Sequence, residues 1–170
     1  MKLYHVDRKN SLQEGITLHL IIDYSVNGDY GCQIYDFVRN LYPEGISEHG
    51  DRYLFDGQFV DWIKEAHLEN VRLRSFPKEL SRFQSFFALS DEWVEPFLEK
   101  LNLQKESVSI FEVESEKVSF YDMNLIDMLQ FPGVAITHFF AYQYWAGERS
   151  KNPLLECLIP FPVTIGKKVN

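Results

Sequence analysis

The chain has 170 residues, 45% of them hydrophobic, and carries 17 Lys and Arg against 25 Asp and Glu, a formal net charge of −8. A chain of this length can bury about 70% of the surface its unfolded form exposes, enough for a core without metal or disulfide staples, so disorder and fibrous repeats are excluded and one globular domain over 1–170 is expected. The acidic balance argues against general nucleic-acid binding, because phosphate contacts need a positive surface, and leaves only a local basic set at Arg72, Arg74, Lys78 and Arg82.

The opening MKLYHVDRKN has charges where a signal peptide needs an unbroken apolar stretch. Lys2 to Asp7 alternates as a strand, and Ser11-Leu-Gln-Glu14 is a capping-box pattern that predicts one short helical turn ended by Gly15. Tyr30 to Leu41 carries apolar residues at helical spacing and is stopped by Pro43-Glu-Gly45. A longer helix is predicted next, with Asp56 as its N-cap. Its apolar face is expected at Phe59, Trp62, Ile63, Ala66 and Val71, with Asp61, Lys64, Glu65 and Glu69 elsewhere.

Phe83 to Leu89 (FQSFFAL) reads as a buried strand, and Ser90 or Asp91 caps a helix to about Leu101. Val108 to Val113 and Lys117 to Tyr121 read as two strands joined by a tight polar turn at Glu114-Ser-Glu116. Helical patterns return from Asp122 to Leu129 and from Gly133 to about Trp145. The 20 residues from Met128 to Gly147 lack Asp, Glu, Lys and Arg, but Gln130, Pro132, Thr137, His138 and Gln143 favour a buried core helix over a membrane span. The last 17 residues give two β-rich runs broken by Pro160 and Pro162. Helices clustered in the N-terminal two thirds with strands around them, and no regular alternation, predict an α+β fold. Cys32 and Cys157 sit in apolar runs, where a free thiol behaves as a small hydrophobe, and a reducing, cytoplasmic setting is the expectation.

Standard motifs for phosphate cradling, a Rossmann site or serine-hydrolase chemistry are absent. The five histidines stand apart, with no HxxxH or HxH pair, so no metal site is expected. Four stretches remain. They are Leu3-Tyr4-His5 with Gly15 after it, Ser81-Arg82-Phe-Gln-Ser85-Phe-Phe87, Ser109-Ile-Phe-Glu-Val113 with Asp122 downstream, and Tyr144-Trp-Ala-Gly147 followed by Leu155-Glu156-Cys-Leu-Ile159. In this order, and over most of the chain, they resemble the ADP-ribosyltransferases, and the whole is similar to a bacterial family regarded as ADP-ribosyltransferase-like.

The resemblance implies a split β-sandwich that binds NAD, as substrate, in a cleft between two small sheets and transfers ADP-ribose to an unknown acceptor, with release of nicotinamide. Glu156 then matches the catalytic glutamate and His5 the first-strand residue that holds the NAD ribose. Ser81, Arg82 and Ser85 fall near the middle-strand positions, and Phe86 or Phe87 takes the place of a tyrosine that stacks on nicotinamide. Cleavage of the nicotinamide–ribose bond passes through an oxocarbenium-like state, which a carboxylate near the ribose 2-hydroxyl stabilises as charge develops. A neutral imidazole orients a hydroxyl without adding charge, and a guanidinium suits a carboxamide or pyrophosphate. Two departures stand out. The tyrosine hydroxyl is lost, and Leu154 replaces the first glutamate of an arginine-directed Glu-x-Glu pair, which leaves the acceptor open. The alternative is an inactive NAD- or nucleotide-binding, or protein-interaction, module of the same fold. From alternation alone Glu156 can also face solvent, His5 can be a satisfied strand histidine, and Tyr144 and Trp145 can be core or pocket-wall aromatics.

Overall fold

The computed structural model describes residues 1–26, 28–56, 59–131 and 133–170, with the side chains of all of these except 59 and 60. Among the described residues, seven strands form two antiparallel sheets. The first has the order β1 (Lys2–Asp7), β4 (Ser109–Glu114), β7 (Val163–Lys168) and β2 (Thr17–Leu18); the second is β3 (Ser85–Ala88), β6 (Leu155–Pro160) and β5 (Ser119–Asp122). With helices packed outside them, the fold is α+β.

Strand alternation decides what each sheet face buries. Leu3, Phe111, Val113, Val163 and Ile165 from the first sheet meet Phe86, Ala88, Cys157 and Ile159 from the second, forming the core between them. The opposite face of the second sheet, with Phe87, Tyr121 and Leu158, is covered by α3 (Phe59–Ser75) and α6 (Val134–Trp145). The opposite face of the first, with Tyr4, Val6 and Ile110, is covered by α4 (Asp91–Lys100). Tyr4 and Leu89 exchange two backbone hydrogen bonds of 2.8 Å, which tie β1 to the end of β3.

Several expectations change on folding. No helix forms at Ser11–Glu14, because the buried Asp7 carboxylate accepts from the amides of Lys9, Ser11 and Leu12 and fixes an open loop there. Strands β4 and β5 do occur around Glu114-Ser-Glu116, but they join different sheets. Helix α1 (Gly31–Leu41) falls where predicted, while α2 (Glu48–Phe55) was not predicted, and Asp56 closes α2 instead of opening α3. The run before β3 begins as a 3-10 turn at Arg82–Gln84. Asp122 does cap α5 (Met123–Asp127), accepting from Asn124 N at 3.0 Å. Helices α5 and α6 carry helical structure beyond the N-terminal two thirds.

Helix α6 is not a core helix. It buries Ala141, Tyr144 and Trp145 and leaves Val134 80% exposed, with Ile136, Phe139 and Tyr142 also open. No helix among the described residues is long and apolar enough to cross a membrane. Both cysteines are free, Cys32 exposed and Cys157 buried, where burial pushes the Cys157 thiol up to about 12.

Candidate functional site

Strand β1 places His5 on the same face as Leu3, toward the second sheet. Its ring lies 4.4 Å from that of Phe86, and Nδ1 donates to the Phe87 carbonyl at 2.7 Å. Burial lowers its pKa, so the imidazole is neutral and Nε2 keeps an acceptor lone pair.

Strand β6 presents Glu156 on the other face of the second sheet, opposite Tyr121 in register. The residue is 4% exposed. Its Oε1 accepts from Arg82 Nη1 and, at 2.7 Å, from the Tyr144 hydroxyl of α6. The rest of the Arg82 fork grips Glu65 of α3, with Nε to Oε2 at 2.8 Å and Nη2 to Oε1 at 2.9 Å. One buried guanidinium therefore links two carboxylates. Burial alone would push the Glu65 carboxyl up, but the charge and hydrogen bonds of Arg82, together with His49 beside it, outweigh burial and hold the group well below the usual carboxylate range. Burial would likewise lower Arg82, and Glu156 with Glu65 raise it well above its ordinary value. With both carboxyls ionised the trio sums to −1.

Helix α3 turns a charged stripe inward. Glu65, Leu68, Glu69 and Arg72 are buried, whereas Trp62, Ile63 and Ala66, expected on the apolar face, are exposed. The predicted apolar position 59 has no described side chain. Glu69 accepts from Tyr42 (3.0 Å), Arg72 (2.8 and 2.9 Å) and Ser81 (3.0 Å). Arg72 and Arg82 are thus consumed inside the protein, and the local basic patch expected from sequence does not form. Ser81 is not on the cleft wall: its hydroxyl joins the Glu69 network and accepts from Phe83 N, holding the turn that aims Arg82. Ser85 lines the cleft, its hydroxyl donating to Ser81 O at 2.7 Å.

Helix α2 supplies His49. Ser47 caps this helix by accepting from Gly50 N, and its own N and Oγ both donate to the Phe83 carbonyl, so α2 starts directly on the turn that carries Arg82. A Cβ at residue 50 would collide with that same carbonyl. The His49 ring lies 4.6 Å from that of Phe87 and 4.7 Å from that of Tyr53. Its Nε2 is 3.2 Å from Glu65 Oε1 but outside hydrogen-bond angles, so this buried nitrogen has no hydrogen-bond partner among the described residues.

These groups border one cleft of ≈ 610 Å³, a volume in the range of small-molecule sites. His5, Arg82, Ser85, Phe86, Phe87 and Glu156 all line it, joined by Glu65 and His49, with Arg8, Lys9 and Arg52 also on its wall. Phe86 and Phe87 lie on opposite faces of β3. Phe86 meets His5, and Phe87 lies under Arg82, 4.9 Å from Cζ to ring centre, beside His49. Among the described residues no three His, Cys, Asp or Glu side chains converge as a metal site. The arrangement offers a neutral acceptor, an aromatic wall and a carboxylate held in place by a cation, which suits a polar ligand with a flat ring. Sequence reasoning missed Glu65 and His49. Glu65 lay in an apparently solvated helical position, and the helix that carries His49 went unread, although Ser47 with Glu48 and Asp51 after it is a local N-terminus signal that could have found it.

The model of the family described as "Protein of unknown function (DUF2441)" matches residues 3–170, and the chain belongs to that family. None of the curated proteins compared with the chain matches it.

Proposed function

We propose that this DUF2441 member binds NAD in the cleft and transfers its ADP-ribose to an acceptor, releasing nicotinamide, on a fold of the ADP-ribosyltransferase type. One observation carries the reading: a buried carboxylate from the middle strand of one sheet and a neutral imidazole from the edge strand of the other line the same cleft. In the transfer the C1′–N bond breaks and its electron pair stays with the nicotinamide ring. The ribose carbon gains positive charge, and Glu156, aligned by Arg82 and Tyr144, stabilises it. His5 Nε2 accepts from a ribose hydroxyl, and Phe87, which lines the cleft under Arg82, is the aromatic for the nicotinamide ring. Arg8, which has no hydrogen bond or ion pair among the described residues, and the exposed Arg52 suit the pyrophosphate.

The test is nicotinamide release from labelled NAD, with binding followed by calorimetry, for the native chain and Glu156→Gln. Turnover is expected to fall by about 10²-fold or more while affinity changes only a few-fold, because the carboxylate acts mainly in the transition state. Equal loss of both would remove Glu156 from that role. One observation favours the second reading, a nucleotide-binding module without turnover: Glu156 Oε1 is already occupied by Arg82 and Tyr144. That reading predicts binding with no release.

A further inference from the structure

The cleft contains two further imidazoles, His19 and His49, that the transfer described above leaves without a part, and of these His49 stands against the buried carboxylates. The two nitrogens of His49 meet different surroundings. Nε2 is buried beside Glu65 Oε1 at 3.2 Å, and an ionised carboxylate can only accept, so Nε2 is the nitrogen that turns an N–H toward Glu65 and Nδ1 is the nitrogen that faces the cleft. Nδ1 has no hydrogen-bond partner among the described residues and is not sealed from solvent, and His49 lines the cleft.

Glu65 is in turn immobilised, because Arg82 grips both of its oxygens. A fixed carboxylate behind an imidazole, with the far nitrogen open, sets the tautomer and stabilises the imidazolium once a proton arrives. The same guanidinium holds Glu156, so base and carboxylate share one buried frame, with Phe87 beside both His49 and Arg82.

We propose that His49 is the general base that removes the acceptor's proton, and that the acceptor is a hydroxyl group, of water or of an alcohol. The inference rests on the NAD reading above. As the C1′–N bond breaks and neutral nicotinamide leaves with the electron pair, the acceptor oxygen bonds to C1′ and its proton passes to His49 Nδ1. Nothing is oxidised or reduced. The class follows from the base. A carboxylate acceptor has no proton to lose, and a guanidinium, with a pKa above about 12, holds its proton too tightly for an imidazole. A hydroxyl becomes acidic as its oxygen bonds to the electron-poor carbon, within reach of a base of this strength.

Azide, a nucleophile without a proton, provides the test. Nicotinamide release, product identity and NAD affinity are measured for the native chain, His49→Gln, His49→Asn and Glu156→Gln, with and without azide. Release in water is expected to fall about 10²-fold in both His49 variants, with affinity within about threefold of native. Azide restores their turnover as ADP-ribosyl azide, and it does not restore Glu156→Gln. Added methanol separates the two hydroxyl sources: methyl ADP-ribose marks an alcohol acceptor, ADP-ribose alone marks water, and either supports the inference.

Unchanged release in the His49 variants, or a loss that azide does not repair, overturns it. Lost NAD binding in both variants does the same, by reducing His49 to a binding or packing role. Nitrogen-15 spectra of the native chain test the geometry without any variant, since a neutral His49 ring protonated on Nδ1 overturns the proposal. A native chain that releases no nicotinamide overturns the NAD reading and this inference together, whereas release that ignores His49 overturns this inference alone.

Discussion

Arg82 is the side chain on which the buried charges of Glu65 and Glu156 depend. Replacing it with Met would leave Glu65 and Glu156, 6% and 4% exposed, without their common cation. Breaking a buried ion pair from one side costs about 3–5 kcal/mol, so Arg82→Met is expected to lose stability on that scale in urea unfolding. A loss below about 1 kcal/mol would mean that the carboxylates find other partners. The pH dependence has two windows of the same sign. The Glu65 carboxyl is depressed on folding, so its stabilisation is complete above its unfolded pKa of about 4.3 and is lost as the pH falls toward the folded value. The His5 pKa is also lowered, by burial, so the unfolded state takes a proton first and stability begins to fall once the pH drops below about 6.5. Unfolding free energy measured from pH 7.5 to 3 is therefore expected to decline in two stages. His67, lowered chiefly by burial, contributes to the same upper window, so His5→Asn should flatten part of the upper stage and Glu65→Gln part of the lower, and a flat native profile would show that neither His5 nor Glu65 is perturbed.

At the scale of elements, α2 and α3 were the least legible and hold the groups that sequence reasoning missed. Gly50 lies inside α2, where alanine would ordinarily favour the helix by about 1 kcal/mol. Here its Cβ meets the Phe83 carbonyl, which also receives Ser47 N and Oγ, so the helix has to lift from the turn. Gly50→Ala is expected to cost about 1–3 kcal/mol in urea unfolding, as overpacking does. A stabilised variant would show that α2 does not rest on that turn. The contact that demands glycine joins residues 33 positions apart and leaves no local trace in the sequence. Helix α3 failed for a related reason. Amphipathic reasoning sends charges outward, but Glu65, Glu69 and Arg72, at helical spacing, are buried because Arg82, Ser81 and Tyr42 come from elsewhere to meet them. By contrast, α1, α4 and the cap of α5 were legible, since their caps, breakers and apolar stripes are local signals.

For the whole molecule, the strands were legible as strands while their assignment to sheets was not. Alternation marked β1 and β-rich runs marked β3 to β7, yet the chain passes from sheet to sheet between β2 and β3, between β3 and β4, between β4 and β5, and again between β6 and β7, a choice that packing makes and period-2 patterning does not encode. That crossing is what brings His5 on the first sheet to the same cleft as Phe87 and Glu156 on the second. A ligand held from both sides ties the sheets together where, among the described residues, only Tyr4 and Leu89 bridge their backbones. Saturating NAD at about 100 times its Kd is expected to add about 2.7 kcal/mol to the unfolding free energy. Hydrogen exchange should slow at the amides of both Tyr4 and Leu89, because opening the cleft separates β1 from β3. On the proposed reading Glu156→Gln should keep this protection, since a carboxylate that acts on the reacting bond contributes little to ground-state affinity. Protection confined to β3, β6 and α3 would place the ligand on the second sheet alone and remove His5 from the site. Protection in β1 that disappears with His5→Ala, while Glu156→Gln retains it, would establish the division of labour in which one sheet binds and the other holds the reacting carboxylate.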